Sequence, residues 1–268
     1  WGFGRRVMPD GRITVRADGR IRWLAFDNQA RLNALNTHMW SALPGLVRAA
    51  EDDDEVRVLI VTGAGDKAFS AGADISEFDQ ARSGTASQNY DRLNNEAFDA
   101  LSLCAKPTVA AIRGYCFGGG LELALCCDLR VAGAGAQFSI PAVKLGIGFN
   151  ARWIRPLLNA VTPAAAKEIL FTGGRYGAVD AARMGLVGRV VGDELVGETA
   201  RELALTIAAN APLSVVAAKR GVDELARNPA APDWTDLERI TQACFHSADY
   251  EEGRRAFAEK RAPMFKGR

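Results

Sequence analysis

Gly114-Tyr115-Cys116-Phe117-Gly118-Gly119-Gly120-Leu121-Glu122 is the stretch on which the fold turns. Before it runs Thr108-Val109-Ala110-Ala111-Ile112, an apolar segment between Pro107 and Gly114 that predicts a buried strand. From Gly118 to Cys127 the pattern predicts a helix led by glycines. Three glycines at a helix start leave backbone N–H groups uncovered and let a ligand approach closely. The helix dipole adds partial positive charge there. Such an end suits a developing oxyanion or a phosphate. Glu122 follows Gly120 by two residues, near enough to these amides to act as an acid or a base. The plainer alternative is that it only complements the helix N-terminus.

Upstream, the same layout recurs. Val56 to Thr62 reads as a buried strand ending at Gly63, and a second glycine-marked turn follows, Ala68-Phe69-Ser70-Ala71-Gly72-Ala73-Asp74-Ile75. Ile21 to Phe26 reads as a strand. Thr37 to Glu51 reads as a helix capped by Asn36 or Thr37, with Pro44 expected to kink it or shift its start. Ser76 to Gln88 is a looser polar stretch, and Asn89 to Leu103 a helix. Downstream, Leu129–Ala132, Gln137–Ser139 and Val187–Val191 read as strands. Helices are expected at Pro163–Phe171, Ala178–Met184, Glu194–Asn210, Pro212–Leu225, Trp234–Cys244 and Asp249–Lys260, with Asn228 to Pro232 as a loop. The alternation argues for largely parallel strands with crossover helices over residues 1–195, and a helical region over 196–268.

Bulk properties narrow the function classes. The chain has 268 residues, 48% of them hydrophobic and 24% charged, which is enough to bury a large core and too apolar for a disordered chain. Formal net charge is +1, from 33 Lys+Arg against 32 Asp+Glu, so overall charge gives no reason to expect nucleic acid or an anionic membrane as partner. Five cysteines, an odd number with no CxxC spacing, predict reduced thiols and no structural zinc or other metal. No apolar run is long enough for a membrane span, and Trp1 to Arg12 lacks a signal-peptide segment. A cytoplasmic location is the resulting expectation.

The string "AFSAGADI", followed some 40 residues later by "GYCFGGGLELALCCDLRVA", resembles the paired oxyanion-hole motifs of the crotonase (enoyl-CoA hydratase/isomerase) superfamily. Further pieces resemble that family in the same order: "NQARLNALN", "AQFSIPAVKLGI", "EILFTGGRYGAVDAARMGLVGRVV" and "DYEEGRRAFAEKRAPMFKGR". The resemblance covers nearly the whole chain from Ile21. It implies a crotonase-type ββα spiral, two roughly perpendicular sheets flanked by helices, closed by a C-terminal helical trimerisation region that completes the coenzyme A site. Trimers of this kind can pair into dimers of trimers. It further implies that the Ala73 and Gly119 N–H groups are the oxyanion donors and that Glu122 is the catalytic carboxyl. Arg31, Leu32, Ala71, Asp74, Ile75, Tyr115 and Gly118 would meet coenzyme A, joined by Phe257 and Lys260 from the C-terminal helix. Pro141, Ala142, Leu145, Phe149 and Trp153 would line the acyl pocket. No separate cofactor is implied, since coenzyme A arrives as part of the thioester substrate.

Two departures bear on the reaction. Hydratases of this family typically present two glutamates, and the second position falls on Ala142, whose methyl group transfers no proton. Losing one acid–base group typically costs about 10²–10⁴ in rate. Gly148-Phe149-Asn150 resembles acyl-CoA decarboxylases of the superfamily, yet Phe149 and Ala73 stand where those enzymes can carry a Tyr and a His. Trp153 reads equally as core. The expected function is hydratase-like lyase chemistry with a single glutamate. The alternatives are an isomerase or decarboxylase of the same superfamily, and a non-catalytic module that keeps the fold. A serine-hydrolase elbow at Ala68–Gly72 would need a helix directly after it and a histidine, and only His38 and His246 exist. A dinucleotide site would need GxGxxG spacing, which is absent.

Overall fold

The computed structural model describes residues 11–77 and 85–268. In chain order the strands are β1 Arg12–Asp18, β2 Ile21–Asp27, β3 Val58–Gly63, β4 Ala68–Ser70, β5 Thr108–Ile112, β6 Tyr115–Phe117, β7 Leu129–Gly133, β8 Gln137–Ser139, β9 Tyr176–Gly177 and β10 Arg189–Val191. Six of them form one sheet in the order β1-β2-β3-β5-β7-β10, and four form a second in the order β4-β6-β8-β9. From β2 to β10 the large sheet is parallel throughout, while β1 pairs with β2 as an antiparallel hairpin.

Each central strand is apolar on both faces because both faces are covered. On β3, Leu59 and Val61 enter a core shared with Leu43 and Val47 of helix Thr37–Glu51 and Ala97 of helix Thr85–Ser102. The alternate residues Val58 and Ile60 meet Val196, Ala200 and Ala204 of helix Val196–Ala208. Core packing thus continues past residue 195. Leu203 and Ile207 also pack against that second core. Beyond Pro212, helices Pro212–Arg227 and Trp234–Phe245 bury no residue fully, and Val222, Trp234, Phe245 and Phe257 stay open to solvent.

Other local expectations shift for physical reasons. Helix Thr37–Glu51 begins at Thr37 with Pro44 buried inside it, so the proline does not move its start. Asn36 supplies the cap, its side chain accepting from Met39 N at 2.8 Å. β1 carries charged residues on an exposed edge and gives no apolar run to detect. β4, β6 and β9 span only two or three residues, too short for a period. Residues 151–160 form a helix, although Pro156 lies within it. Trp1 to Asp10 and residues 78–84, part of the looser polar stretch, lie outside the described residues.

All five cysteines are free and four are buried. Burial pushes the Cys104 thiol up to about 11 and the Cys127 thiol to about 12, so both stay protonated and act as apolar filler. Among the described residues, no helix is long and apolar enough to cross a membrane, and no cluster of side chains could hold a metal ion.

Candidate active site

The site is built where β4 and β6, adjacent strands of the small sheet, each run into a glycine turn. Two close approaches need glycine. A Cβ on Gly120 would lie 2.6 Å from Ser70 Cβ, and one on Gly72, at φ +94°, would lie 2.8 Å from Phe117 O. With those side chains absent the two turns touch.

The loop Ala71–Asp74 is laced to residues 32–35. Ala71 N donates to Leu32 O at 2.9 Å, Leu35 N donates to Gly72 O at 2.7 Å, and Asp74 N donates to Leu35 O at 2.9 Å. Gly72 N donates to Ser70 Oγ at 3.1 Å. Of the four N–H groups from 71 to 74, only that of Ala73 takes no hydrogen bond among the described residues. In a parallel bridge between Leu35 and Ala73, the polar groups of Ala73 point away from Leu35. A Cβ on Gly119 would lie 3.9 Å from Ala73 N, and one on Gly72 would lie 3.4 Å from Gly119 N, so the Ala73 and Gly119 amides are neighbours. Gly119 opens helix Gly119–Cys126, where N–H groups have no partner within the helix. Gly118 N is spent on Ser139 O at 2.8 Å. Two uncommitted donors side by side can stabilise a carbonyl oxygen that gains charge.

Glu122 sits one turn into the same helix and is 1% exposed. Neither carboxyl oxygen has a hydrogen-bond partner among the described residues. Burial alone raises its pKa well above the usual carboxylate range, favouring the protonated form. A role limited to complementing the helix dipole would favour an exposed, hydrated group, whereas Glu122 is buried and unpartnered.

The other expected residues divide into three groups. Arg31 donates through Nη1 to both Asp74 oxygens, at 2.8 and 2.7 Å. Burial would raise the Asp74 carboxyl, but hydrogen bonds from the Ser76 hydroxyl and amide, and from Arg31, outweigh it and hold it below its usual value. Leu32, at φ 53°, receives the Ala71 amide, and Ile75 is 67% exposed beside the turn. Tyr115 and Phe117 stack at 5.2 Å between ring centroids on β6. Together these residues surround the two turns.

The residues expected to line the acyl pocket are mixed. Pro141–Leu145 form a short 3-10 turn with Leu145 exposed and Ala142 partly packed on the core. Phe149 meets Trp153 edge-on at 5.7 Å. Trp153 is buried, its Nε1 donating to Asn95 Oδ1 at 2.8 Å, and it borders a cleft of about 960 Å³ that includes none of Ala73, Gly119 and Glu122. Trp153 is therefore part of the core. Phe257 is 87% exposed and Lys260 is exposed at the end of helix Ala248–Ala258. No hydrogen bond or ion pair among the described residues ties either to the turns.

Three contributors escape a reading of the sequence. Asn33, 1% exposed and at φ 56°, donates to Ala64 O and Ala68 O, fastening the loop to the start of β4. Leu35 forms the bridge to Ala73. Trp40 places its ring edge 3.1 Å from where a Gly119 Cβ would be. The repeated Asn in "NQARLNALN" is the one available signal for the first. Ser70 is fully buried, and a 3-10 turn at Ile75–Glu77, not a helix, comes after Gly72, so the hydrolase elbow does not form.

A family model described as enoyl-CoA hydratase/isomerase matches residues 17–268. A short-chain-enoyl-CoA hydratase of Clostridium acetobutylicum is 34% identical over 257 residues, covering 95% of this chain and 97% of that protein. A crotonyl-CoA hydratase of Syntrophomonas wolfei is 35% identical over 267 residues, covering 96% and 99%. The crystal structure of an enoyl-CoA hydratase/carnithine racemase from Magnetospirillum magneticum superposes with a TM-score of 0.92 at 35% identity, covering 96% of each chain. The chain belongs to the enoyl-CoA hydratase/isomerase family and has the crotonase fold.

Proposed function

We propose that this chain is an enzyme acting on short acyl-CoA thioesters, with hydratase-like chemistry run by one carboxyl group. The observation that carries the reading is the pair of adjacent, uncommitted amides at Ala73 and Gly119, one helical turn from a buried and unpartnered Glu122. The thioester carbonyl would sit on the two amides. As water attacks the β carbon of an enoyl thioester, electrons move toward that oxygen, and the donors stabilise the charge; one such donor is worth roughly 3–4 kcal/mol in other enzymes.

The raised pKa of Glu122 favours a protonated starting state. Glu122 gives its proton to the α carbon, and the carboxylate left behind takes the proton released by the attacking water, so the group ends as it began. This sequence needs no second carboxyl and suits Ala142. The names of the two curated relatives point to the same substrate class. The methyl at Ala142 also supports a second reading, isomerisation, in which one group removes a proton and returns it elsewhere.

Arg31, Leu32, Ala71, Asp74, Ile75, Tyr115 and Gly118 are proposed to surround the coenzyme. Phe257 and Lys260 would complete the site from a neighbouring subunit of a homotrimer or dimer of trimers. Their exposure supports this, as do the open apolar side chains of Val222, Trp234 and Phe245. Free, buried thiols fit a reducing, cytoplasmic setting. The test is a panel of enoyl- and acyl-CoA thioesters, followed by loss of the enoyl absorbance and by mass spectrometry of products. Crotonyl-CoA hydration or a double-bond shift is expected. Turnover of none of them, with no acyl-CoA binding by calorimetry, would overturn the proposal.

A further inference from the structure

We propose that Arg31 and Asp74 are positioning residues that aim the Ala73 N–H, and that they do not act as contacts to coenzyme A. The inference rests on the oxyanion reading above and revises the role of two residues within it.

The Ala73 N–H belongs to the peptide plane whose carbonyl, Gly72 O, accepts from Leu35 N at 2.7 Å. That bond fixes one edge of the plane. On the other side of Ala73 the chain is held by Asp74, whose carboxylate gathers Arg31 Nη1 at 2.8 and 2.7 Å, Ser76 N at 3.0 Å and Ser76 Oγ at 2.7 Å. Arg31 Nη1 also reaches the Ser76 hydroxyl. Arg31 and Leu35 lie on one short loop. The two attachments therefore close a ring around Ala73, with Leu35 at one end and Arg31 at the other.

Two further observations favour a clamp over a ligand contact. Between the attachments, Leu32 and Asn33 both hold positive φ, 53° and 56°, a conformation that non-glycine residues keep only where the surroundings impose it. The Asp74 side chain is 8% exposed. A buried carboxylate offered to a polyanionic coenzyme would repel it, whereas one neutralised by Arg31 does not. A phosphate would also have to compete for Nη1 with a carboxylate already in place.

The test compares Arg31→Met, Asp74→Asn, the double variant and Arg31→Lys in the full chain. With crotonyl-CoA, either single loss should lower kcat roughly 10- to 100-fold, the range expected for a donor misplaced by about 1 Å. KM and the dissociation constant for free coenzyme A should change less than about threefold. The double variant should be no worse than either single, because both break one ring. Arg31→Lys should recover most of the rate by restoring a cation to Asp74. Hydrogen exchange gives a readout independent of turnover: exchange over Ala71–Glu77 should speed up in Arg31→Met and Asp74→Asn, and stay unchanged over β5. A tenfold rise in KM and in the dissociation constant with kcat intact would make Arg31 a coenzyme ligand and overturn the clamp. So would additive losses in the double variant, or equal exchange over Ala71–Glu77. If the parent turned over no thioester, the functional reading would fail, and the exchange comparison would still decide the clamp.

Discussion

Replacing Glu122 by glutamine should make the protein progressively more stable relative to the parent as pH rises. The unfolded chain ionises this carboxyl near 4.5, while the folded chain keeps it protonated to a much higher pH because burial leaves the charge without water or partner. Between those two values the folded state binds one proton more than the unfolded state. Stability therefore falls as pH rises through that window, by about 1.4 kcal/mol per pH unit, and levels off above the native pKa. Below the unfolded pKa both states carry the proton and the loss vanishes. Glutamine has the same shape and no titration, so its other effects are a constant offset and the slope isolates the carboxyl. At roughly 2–4 °C per kcal/mol for a chain of this size class, the melting-point gap should widen by about 3–6 °C per pH unit. Thermal melts of both proteins in matched buffers from pH 5 to pH 8 measure it. A gap that stays constant over that range, or a parent that gains on the variant as pH rises, would refute the account of a buried neutral Glu122.

Other consequences follow from the geometry. Ala142→Glu should raise crotonyl-CoA hydration, measured at saturating substrate, by restoring a second proton-transfer group; an unchanged or lower rate would show that the scaffold does not present this position to the substrate. Lys219, nearly buried, donates to Asp128 at 2.6 Å, and Asp128 in turn holds Thr108 at the start of β5. Lys219→Met should cost about 2–4 kcal/mol in denaturant unfolding, the lower end applying because Asp128 keeps some contact with water; no loss would mean that helix Pro212–Arg227 is seated without this pair. Light scattering should report a trimer or hexamer, and a strict monomer at micromolar concentration would contradict the proposed assembly.

The fold was largely legible because its central strands are long, apolar and bounded by Gly and Pro. Thr108–Ile112 matches its expected limits, and Leu129 to Gly133 and Gln137–Ser139 agree within a residue. The edge strand β1 and the short β4, β6 and β9 were not, since two or three residues carry no period and an exposed edge carries charge. Glu122 and the two glycine turns could be named from spacing alone. What placed the donors side by side was tertiary: the missing side chains at Gly72 and Gly120, and the bridge from Leu35, which is 38 residues from Ala73 in the chain. Pairing of Arg31 with Asp74 spans 43 residues, and no local pattern encodes it.

The most direct test of the central claim is turnover of the best acyl-CoA substrate by Glu122→Gln, read beside the affinity of the same variant for that substrate. The donors at Ala73 and Gly119 are backbone amides that the substitution leaves in place, so binding should stay within about threefold of the parent while kcat falls by roughly 10²-fold or more. A variant that binds as the parent does and turns over as fast would contradict the assignment of Glu122 as the group that moves the proton.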